Sequence, residues 1–293
     1  MNKTPLINTL IFFISLVFCN ENEKYTFLPR DYVKNEMNIG HITKTRVVEE
    51  SYFDLPGMGS VHRMNKFISI EEYMGEKDGF LVVKVTRTDM ETVNRVGPIE
   101  EIPYDYLAME DIPCLVYIGS NGWDDHVEPV NPDHDWLQEV FEAAYIHNTN
   151  FTNSFHPFGE DAVNVSVGDK WYDTADSIKR FLNSESPESM TSIESTYELK
   201  KVRSKRGRNI ATVDIQSNMK MKLNYILHCS VCEEHIFLTG DASGSFDTKV
   251  NFDIETFEIV SHKDFGNLWG DFEMDGDNFR TKITLKSFSN IVK

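Results

Sequence analysis

The sequence predicts a mainly β protein of two antiparallel curved meanders, half-barrel-like in outline, with a central amphipathic helix at about 132–147. Three observations predict this fold class. Segments rich in Val, Ile, Phe, Tyr and Thr recur along the chain, which is typical of strands. Turns that contain glycine separate these segments, and one segment of helical periodicity divides them into two groups. With 293 residues, 40% of them hydrophobic, the chain can build a substantial core.

The N-terminus has the pattern of a secretory signal. Lys3 supplies a positive start, and an apolar run over 6–18 is followed directly by the polar residues 20–24. An apolar run of this length is typical of signal peptides and too short to span a bilayer comfortably. We therefore predict a signal peptide over 1–19 and an exported protein. If the source is bacterial, the protein would lie in the periplasm or be associated with the outer membrane.

Cys19, at the end of the apolar run, is a candidate lipidation site. Bacterial lipoproteins carry their lipid on a cysteine at this place, which then becomes the first residue. Phe18 stands where such sites usually have Gly, Ala or Ser, so plain cleavage after Cys19 is the alternative. We expect contact with a membrane only if Cys19 carries such an N-terminal lipid anchor.

The first β lobe is predicted over 20–130. Its strand-like segments are 42–53, 64–73 and 80–89. A turn is predicted at 75–80, between the last two of these. A further hairpin is predicted over 114–127 about Asn121 and Gly122, because Asn-Gly suits a turn whose two central residues need positive φ.

The linking segment is predicted over 131–195 and begins with the helix. Pro132 and Asp133 suit a helix start. Apolar side chains at helical spacing form one face: Trp136, Val140, Phe141, Ala144 and Tyr145. We expect this helix to pack on the concave side of the sheet. A second, short helix is predicted at 174–182 and a polar loop at 183–195.

The second β lobe is predicted over 196–293. A hairpin is expected about the basic turn 203–208, and another over 270–285. The stretch 245–254 alternates strictly, with Phe246, Thr248, Val250, Phe252 and Ile254 on one face. This pattern predicts a half-buried antiparallel strand.

The stretch "YILHCSVCEEH", residues 225–235, carries the most reactive side chains. Apolar residues on odd numbers predict a strand up to Val231, with Cys229 facing inward and His228 and Cys232 facing outward. Residues three apart on a straight strand lie roughly 10 Å apart on opposite faces, too far for a disulfide or a shared metal. The alternation breaks before His235, so a turn near 232–235 is predicted.

Three interpretations of this stretch stay open. We favour a core residue at Cys229 and a turn residue at Cys232. A local disulfide would form after export, where oxidation is allowed. A Cys/His zinc site would add His228 and His235, although strong zinc sites usually show a second pair at matching spacing.

A second cluster of ligand-type residues lies within 123–136. It contains Asp124, Asp125, His126, Glu128, Asp133, His134 and Asp135. These side chains could hold a hard cation or zinc, but their spacing fits no fixed metal motif. We interpret them as a solvated loop and helix start, and the identity of any metal stays unknown.

The charge and the motifs limit the classes of function. The formal net charge of −18 repels nucleic-acid phosphates and anionic lipid heads, so no nucleic-acid partner is expected. Nucleophile-elbow, phosphate-loop and zinc-protease motifs do not occur in the sequence. We therefore predict no catalytic residues and no cofactor, and we expect a protein that is not an enzyme.

The segment "VSVGDKW", residues 165–171, carries a resemblance. It is similar to a segment of bacterial envelope proteins, often lipoproteins, that have a β-meander, a linking helix and a second meander. Such proteins resemble lipoprotein-carrier half-barrels, in which a curved sheet wraps a helix over an apolar cavity. The resemblance implies binding of a lipid or other apolar ligand, or of an envelope protein partner. The alternative is a metal-binding or redox-active envelope protein that uses Cys229 and Cys232.

Overall fold

The structure is a computed structural model. It describes residues 24–27, 39–55, 59–96, 99–101, 107–118, 124–138, 140–141, 163–179, 189–229, 234–256, 259–274 and 276–292. The strands are β1 (Tyr25–Phe27), β2 (Ile42–Leu55), β3 (Gly59–Lys77), β4 (Phe80–Val96), β5 (Ile99–Glu101), β6 (Cys114–Ile118), β7 (Asp124–Pro129), β8 (Val163–Val165), β9 (Lys170–Lys179), β10 (Ser189–Lys205), β11 (Arg208–Cys229), β12 (Glu234–Asp253), β13 (Ile259–Met274) and β14 (Asp277–Ile291). One 3₁₀ helix covers Pro132–Leu137.

Twelve of these strands form one antiparallel sheet. Its order is β7-β6-β4-β3-β2-β14-β13-β12-β11-β10-β9, with β5 paired to β4. The pairing of β2 with β14 joins an N-terminal and a C-terminal meander, and among the described strands β7 and β9 form the two edges. β1 and β8 form a separate two-stranded sheet. The prediction of a mainly antiparallel β protein is confirmed, while the division into two lobes stays a prediction.

Two hairpins have two-residue turns in which both central residues have positive φ. Asp78 and Gly79, at 53° and 84°, connect β3 to β4. Arg206 and Gly207, at 54° and 77°, connect β10 to β11. Such turns match the right-handed twist of the flanking strands. The turns predicted at 75–80 and 203–208 are confirmed, as is the pairing of 114–118 with 124–129.

Burial alternates along the long strands, as the sequence predicts. On β12, Phe246 and Val250 are buried while Asp247 and Lys249 are exposed. Cross-strand partners share a face, so the buried residues of neighbouring strands form one continuous surface. We call this surface the inner face of the sheet.

The C-terminal meander has its own apolar cluster on the inner face, covered by β1 and β8. Phe27 of β1 contacts the rings of Trp171 and Phe252, with centroids 5.6 and 5.2 Å apart. Trp171 also stacks on Tyr197, with the centroids 5.3 Å apart. In the "VSVGDKW" segment, Gly168 has a φ of 96° and forms the turn from which β9 begins, so this motif places Trp171 in the core.

The N-terminal meander has a second apolar cluster, covered by the 3₁₀ helix and by residues 107–112. Leu137 and Phe141 are fully buried in it. Gln138 fixes the end of the helix to the sheet, because its Nε2 donates a hydrogen bond to the carbonyl oxygen of Val127 at 2.6 Å. Both meanders therefore bury their apolar side chains on the same face.

The predicted amphipathic helix at 132–147 is not supported. Among the described residues, Pro132–Leu137 form a 3₁₀ helix, and residues 138, 140 and 141 are α-helical, while 139 and 142–150 lie outside the described residues. Trp136, predicted on the buried face, is 64% exposed, and Leu137 is buried instead. A 3₁₀ helix has 3.0 residues per turn rather than 3.6, which rotates a different residue toward the sheet.

Two further predictions in the linking segment are wrong. The short helix predicted at 174–182 is strand up to Lys179, paired along its length with β10. The loop predicted at 183–195 is strand from Ser189 onward. Pairing with a long neighbouring strand outweighs weak local preferences in such polar segments.

Candidate ligand site on the inner face

One row of cross-strand neighbours crosses the inner face from β9 to β4. Its members, in order, are Trp171, Tyr197, Ile215, Thr248, Asp264, Ser287, Glu49, Asn65 and Thr92. The row is aromatic and aliphatic as far as β11 and polar from β12 onward. The next row has His262 and Ser289 between Val250 and Val47. Polar side chains therefore separate the two apolar clusters.

We call these side chains the inner polar patch. Its members are Glu49, Asn65, Ser69, Glu71, Arg87, Thr92, Thr248, His262, Asp264, Ser287 and Ser289. Arg87 is only 2% exposed, and His262 only 3%. Burying polar groups costs free energy unless they find hydrogen-bond partners. A patch of this kind on the protected face of a sheet is therefore a candidate functional site.

The part of the patch on β2–β4 is organised around Arg87. The guanidinium carbon lies 4.3 Å from the ring centroid of Phe67, within the range of a cation–π contact. Thr92 Oγ1 donates a hydrogen bond to Asn65 Oδ1 at 2.8 Å. Ser69 Oγ donates to Glu71 Oε1 at 3.0 Å. Phe67 thus holds the guanidinium of Arg87, and Ser69 holds the carboxylate of Glu71.

The two glutamates of this region have perturbed acidities. Burial raises the pKa of Glu49, against the attraction of Arg87, a hydrogen bond with Asn65 and the attraction of Arg63. Burial also raises the pKa of Glu71, against its hydrogen bond with Ser69 and the attraction of Arg87. In both cases the cost of removing the carboxylate from water exceeds the favourable contacts.

Glu71 combines exposure with desolvation. Its residue surface is accessible to solvent, and yet burial raises its pKa. Glu71 thus lies on the inner face, where Ser69 donates a hydrogen bond to it and Arg87 attracts its carboxylate.

Glu49→Gln is expected to raise the melting temperature by a few degrees at neutral pH and to change it little near pH 4. The folded pKa of Glu49 lies above the unfolded value of 4.5, so stability falls as pH rises from that value through the folded pKa. Glutamine does not ionise and so removes this pH-dependent loss of stability. Melting temperatures measured from about pH 4 to about pH 8 test the prediction, with Glu50→Gln on the opposite face of β2 as the control. Parallel curves for wild type and Glu49→Gln would contradict the assignment.

The part of the patch on β12–β14 centres on Asp264. Thr248 Oγ1 donates a hydrogen bond to Asp264 Oδ1 at 2.5 Å. His262 Nε2 lies 3.1 Å from the same oxygen. Both His262 and Asp264 are more than nine-tenths buried. Three polar groups thus converge on β12 and β13, within the C-terminal meander.

No local pattern in the sequence identifies the inner polar patch as one group. A signal is present in β13, where the inner-face positions run from His262 and Asp264 to Gly266 and Leu268, polar before apolar. The register that sets these residues beside β14 and β2 joins positions more than 200 residues apart. That adjacency is needed to recognise one patch rather than scattered polar residues.

The described side chains of the cluster within 123–136 do not converge on a metal site. His126 stacks on Tyr117 with the ring centroids 4.0 Å apart, and Glu128 accepts a hydrogen bond from the hydroxyl of Tyr117. Asp133 and Asp135 lie in the first turn of the 3₁₀ helix. Within the described part of the chain, no group of three or more His, Cys, Asp or Glu residues could hold a metal ion. The side chains of Asp124 and Asp125 lie outside it.

The cysteine-containing stretch forms the end of the β11–β12 hairpin. His228 lies directly opposite His235, and Cys229 opposite Glu234, so residues 230–233 connect the strands. The predicted strand is confirmed as far as Cys229. Cys232 lies outside the described residues, as do the side chains of Cys229 and both histidines. The core, disulfide and zinc interpretations stay predictions.

Alkylation of the mature protein tests these interpretations. If Cys229 and Cys232 form a disulfide, they react with iodoacetamide in denaturant only after reduction. If they are a core and a turn residue, both react once the chain unfolds, without reductant. If they bind zinc, a chelator accelerates their reaction in the folded protein. Cys114, whose buried Sγ lies 3.7 Å from the carbonyl oxygen of Val85, serves as the internal control for a thiol that reacts on unfolding.

The predictions for the N-terminus concern residues that the structure does not describe. The signal peptide over 1–19 and the lipidation site Cys19 lie outside the described residues. None of the helical segments that the structure describes has the length and hydropathy needed to cross a membrane.

Comparisons with known proteins identify no family for the chain. Neither a protein-family model nor a curated protein matches it. A solved structure of lipovitellin, described in terms of its lipid–protein interactions, aligns with this chain with a TM-score of 0.44 at 10% sequence identity. The alignment covers 88% of this chain and 26% of the lipovitellin chain. This chain thus spans about a quarter of the lipovitellin chain.

Two further solved structures align less closely. The β domain of the Bordetella autotransporter BrkA has a TM-score of 0.23 at 7% identity, covering 85% of this chain and 98% of that chain. OccK2 (OpdF) of Pseudomonas aeruginosa, in complex with glucuronate, has a TM-score of 0.16 at 7% identity, covering 86% and 96%. These scores limit the likeness to β-rich structure, so the resemblance to envelope lipoproteins and their carriers stays a prediction.

Proposed function

We propose that this protein is an exported, non-enzymatic binding protein of the cell envelope that holds an amphipathic, largely apolar ligand such as a lipid against its inner face. The observation that carries the proposal is the inner polar patch, a group of largely buried polar side chains that lies between two apolar clusters on one face of the sheet. Protein ligand sites combine a mostly apolar lining with a few placed polar groups.

The arrangement of the inner face supports an amphipathic ligand. The inner polar patch lies between two apolar clusters, one on each meander. A molecule with both an apolar and a polar part would find partners for each within this surface. Apolar area would supply most of the binding free energy, and the polar side chains would fix the orientation.

A fluorescent probe tests the proposal directly. Titration of the mature chain with N-phenyl-1-naphthylamine, a neutral apolar dye, is expected to give saturable binding that dodecanol displaces. Glu71→Trp would place a bulky side chain on the inner face and weaken binding about tenfold or more. Glu72→Trp is the matched control, because Glu72 follows Glu71 on the opposite face of β3 and pairs there with Lys84. Absence of saturable binding by the wild-type chain would overturn the proposal.

Export and anchoring have a separate test. The intact mass of the protein purified from its source shows whether the chain begins at or after Cys19 and whether Cys19 carries a diacylglyceryl group. A lipidated Cys19 supports an anchored envelope protein, and an unmodified chain that starts after the signal supports a free exported protein. A full-length chain that begins at Met1 would contradict export.

A further inference from the structure

We infer that the polar end of the ligand is a primary ammonium group, bound by Asp264, His262 and Ser287 on the inner face. The inference rests on the proposed function, because it names the chemistry of the ligand at the same site.

Four polar atoms at this place are shielded from solvent and unsatisfied. Among the residues that the structure describes, both ring nitrogens of His262, Asp264 Oδ2 and Ser287 Oγ have no hydrogen-bond partner. The large majority of buried polar atoms in proteins are paired. Four unpaired atoms on neighbouring positions therefore mark a place where a ligand would find partners.

The register brings the three residues together. Asp264 lies directly opposite Ser287 in the β13–β14 pair, where cross-strand Cβ atoms are about 5 Å apart. His262 lies two residues before Asp264, on the same face of β13. All three side chains thus border one small region of the inner face.

Three of these atoms can act as hydrogen-bond acceptors. Asp264 Oδ1 already accepts from Thr248, which leaves Oδ2 for another donor. His262 Nε2 lies 3.1 Å from Asp264 Oδ1 without the geometry of a hydrogen bond. The nearby carboxylate oxygen favours the proton on Nε2, and Nδ1 is then the acceptor. A serine hydroxyl can accept as well as donate, so Ser287 completes the set.

A primary ammonium matches this set, since it offers three N–H donors and no acceptor. A hydroxyl offers one donor, and a trimethylammonium or a carboxylate offers none. Glu49, opposite Ser287 on β2, adds a second carboxylate to the row. Arg87 and Arg63 act on Glu49 from the β3–β4 side, away from Asp264, so the cationic group is placed at the β13–β14 side.

Ligands of equal chain length test the inference on the wild-type protein. Displacement of N-phenyl-1-naphthylamine by dodecylamine is expected about tenfold more readily than by dodecanol. High ionic strength in the buffer screens the general attraction of a chain of charge −18 for cations. Lysophosphatidylethanolamine and lysophosphatidylcholine then separate the sources of the amine, because only the first has N–H donors.

Variants test the named residues. Asp264→Asn keeps the shape of the side chain and is expected to abolish the preference for dodecylamine, whereas Asp247→Asn, on the exposed face of β12, is expected to retain it. Should Asp264→Asn fail to fold, Ser287→Ala removes one acceptor and is expected to reduce the preference about fivefold.

The outcomes separate this inference from the proposed function. A preference for dodecylamine and for lysophosphatidylethanolamine supports an amine headgroup of a lipid. A preference for dodecylamine alone supports a free aliphatic amine. Equal displacement by dodecylamine and dodecanol overturns the inference and leaves the proposed function standing. Failure of every ligand, with no saturable dye binding, overturns both.

Discussion

Replacing Arg87 by methionine is expected to destabilise the fold by about 3–5 kcal/mol at neutral pH. The side chain of Arg87 is 2% exposed on the inner face. Its attraction lowers the pKa of both Glu49 and Glu71, against the burial that raises them. Methionine restores much of the packing but leaves both desolvated carboxylates without this cation.

Urea unfolding at two pH values measures the effect. The loss is expected to shrink toward about pH 5, because the carboxylates then take up protons and no longer need a cation. Arg203→Met, at an exposed position of β10, is the control and should cost little. A loss of unfolding free energy in Arg87→Met that does not depend on pH would show that Arg87 acts by packing alone. Equal losses in Arg87→Met and Arg203→Met would contradict a special role of Arg87.

Gly244→Ala is expected to cost about 3 kcal/mol or more, among the largest effects of any single methyl group in this chain. A Cβ at this position would overlap the carbonyl oxygen of Asn267 and the Cα of Leu268. Both are backbone atoms of β13, which cannot move without breaking its pairing with β12. The inner face at this point therefore has room for a hydrogen and no more.

Gly266→Ala provides the graded comparison. The atoms that its Cβ would meet belong to the ring of Phe246, a side chain that can shift. Its expected cost is smaller, about 1–3 kcal/mol. Ser245→Ala, next to Gly244 on the exposed face, should be near neutral. Equal unfolding midpoints for Gly244→Ala and Ser245→Ala in urea would refute the close approach of β12 and β13.

Local patterns in the sequence predict the strands and turns well. The alternation predicted over 245–254 holds in β12 as far as Phe252, whereas Asp253 at the end of the strand is buried. Asp78-Gly79 forms the expected turn because only a few residue types tolerate positive φ. The prediction of an α-helix over 132–147 is not supported for a local reason, since the same apolar residues suit both an α-helix and a 3₁₀ helix. Helix propensity alone cannot decide between these two helix types before the contacts with β7 are known.

The candidate site depends on information that no local pattern contains. Asp264, Ser287 and Glu49 are polar residues at inner positions of three strands, and only the order β13-β14-β2 makes them neighbours. A sequence shows which residues of a strand share a face but not which distant strand lies beside it. The pairing of β2 with β14, which no local pattern predicts, is thus what brings the residues of the site together.

The position of β14 also dictates an order of assembly during synthesis. β14 pairs on one side with its neighbour β13 and on the other with β2, and the bond between Lys286 and Glu50 spans 236 positions. Until the ribosome has made Asp277–Ile291, β2 has an unpaired edge, a ready template for aggregation. Contacts this distant in sequence form slowly. The twelve-stranded sheet can therefore be completed only after the last of its strands has been synthesised.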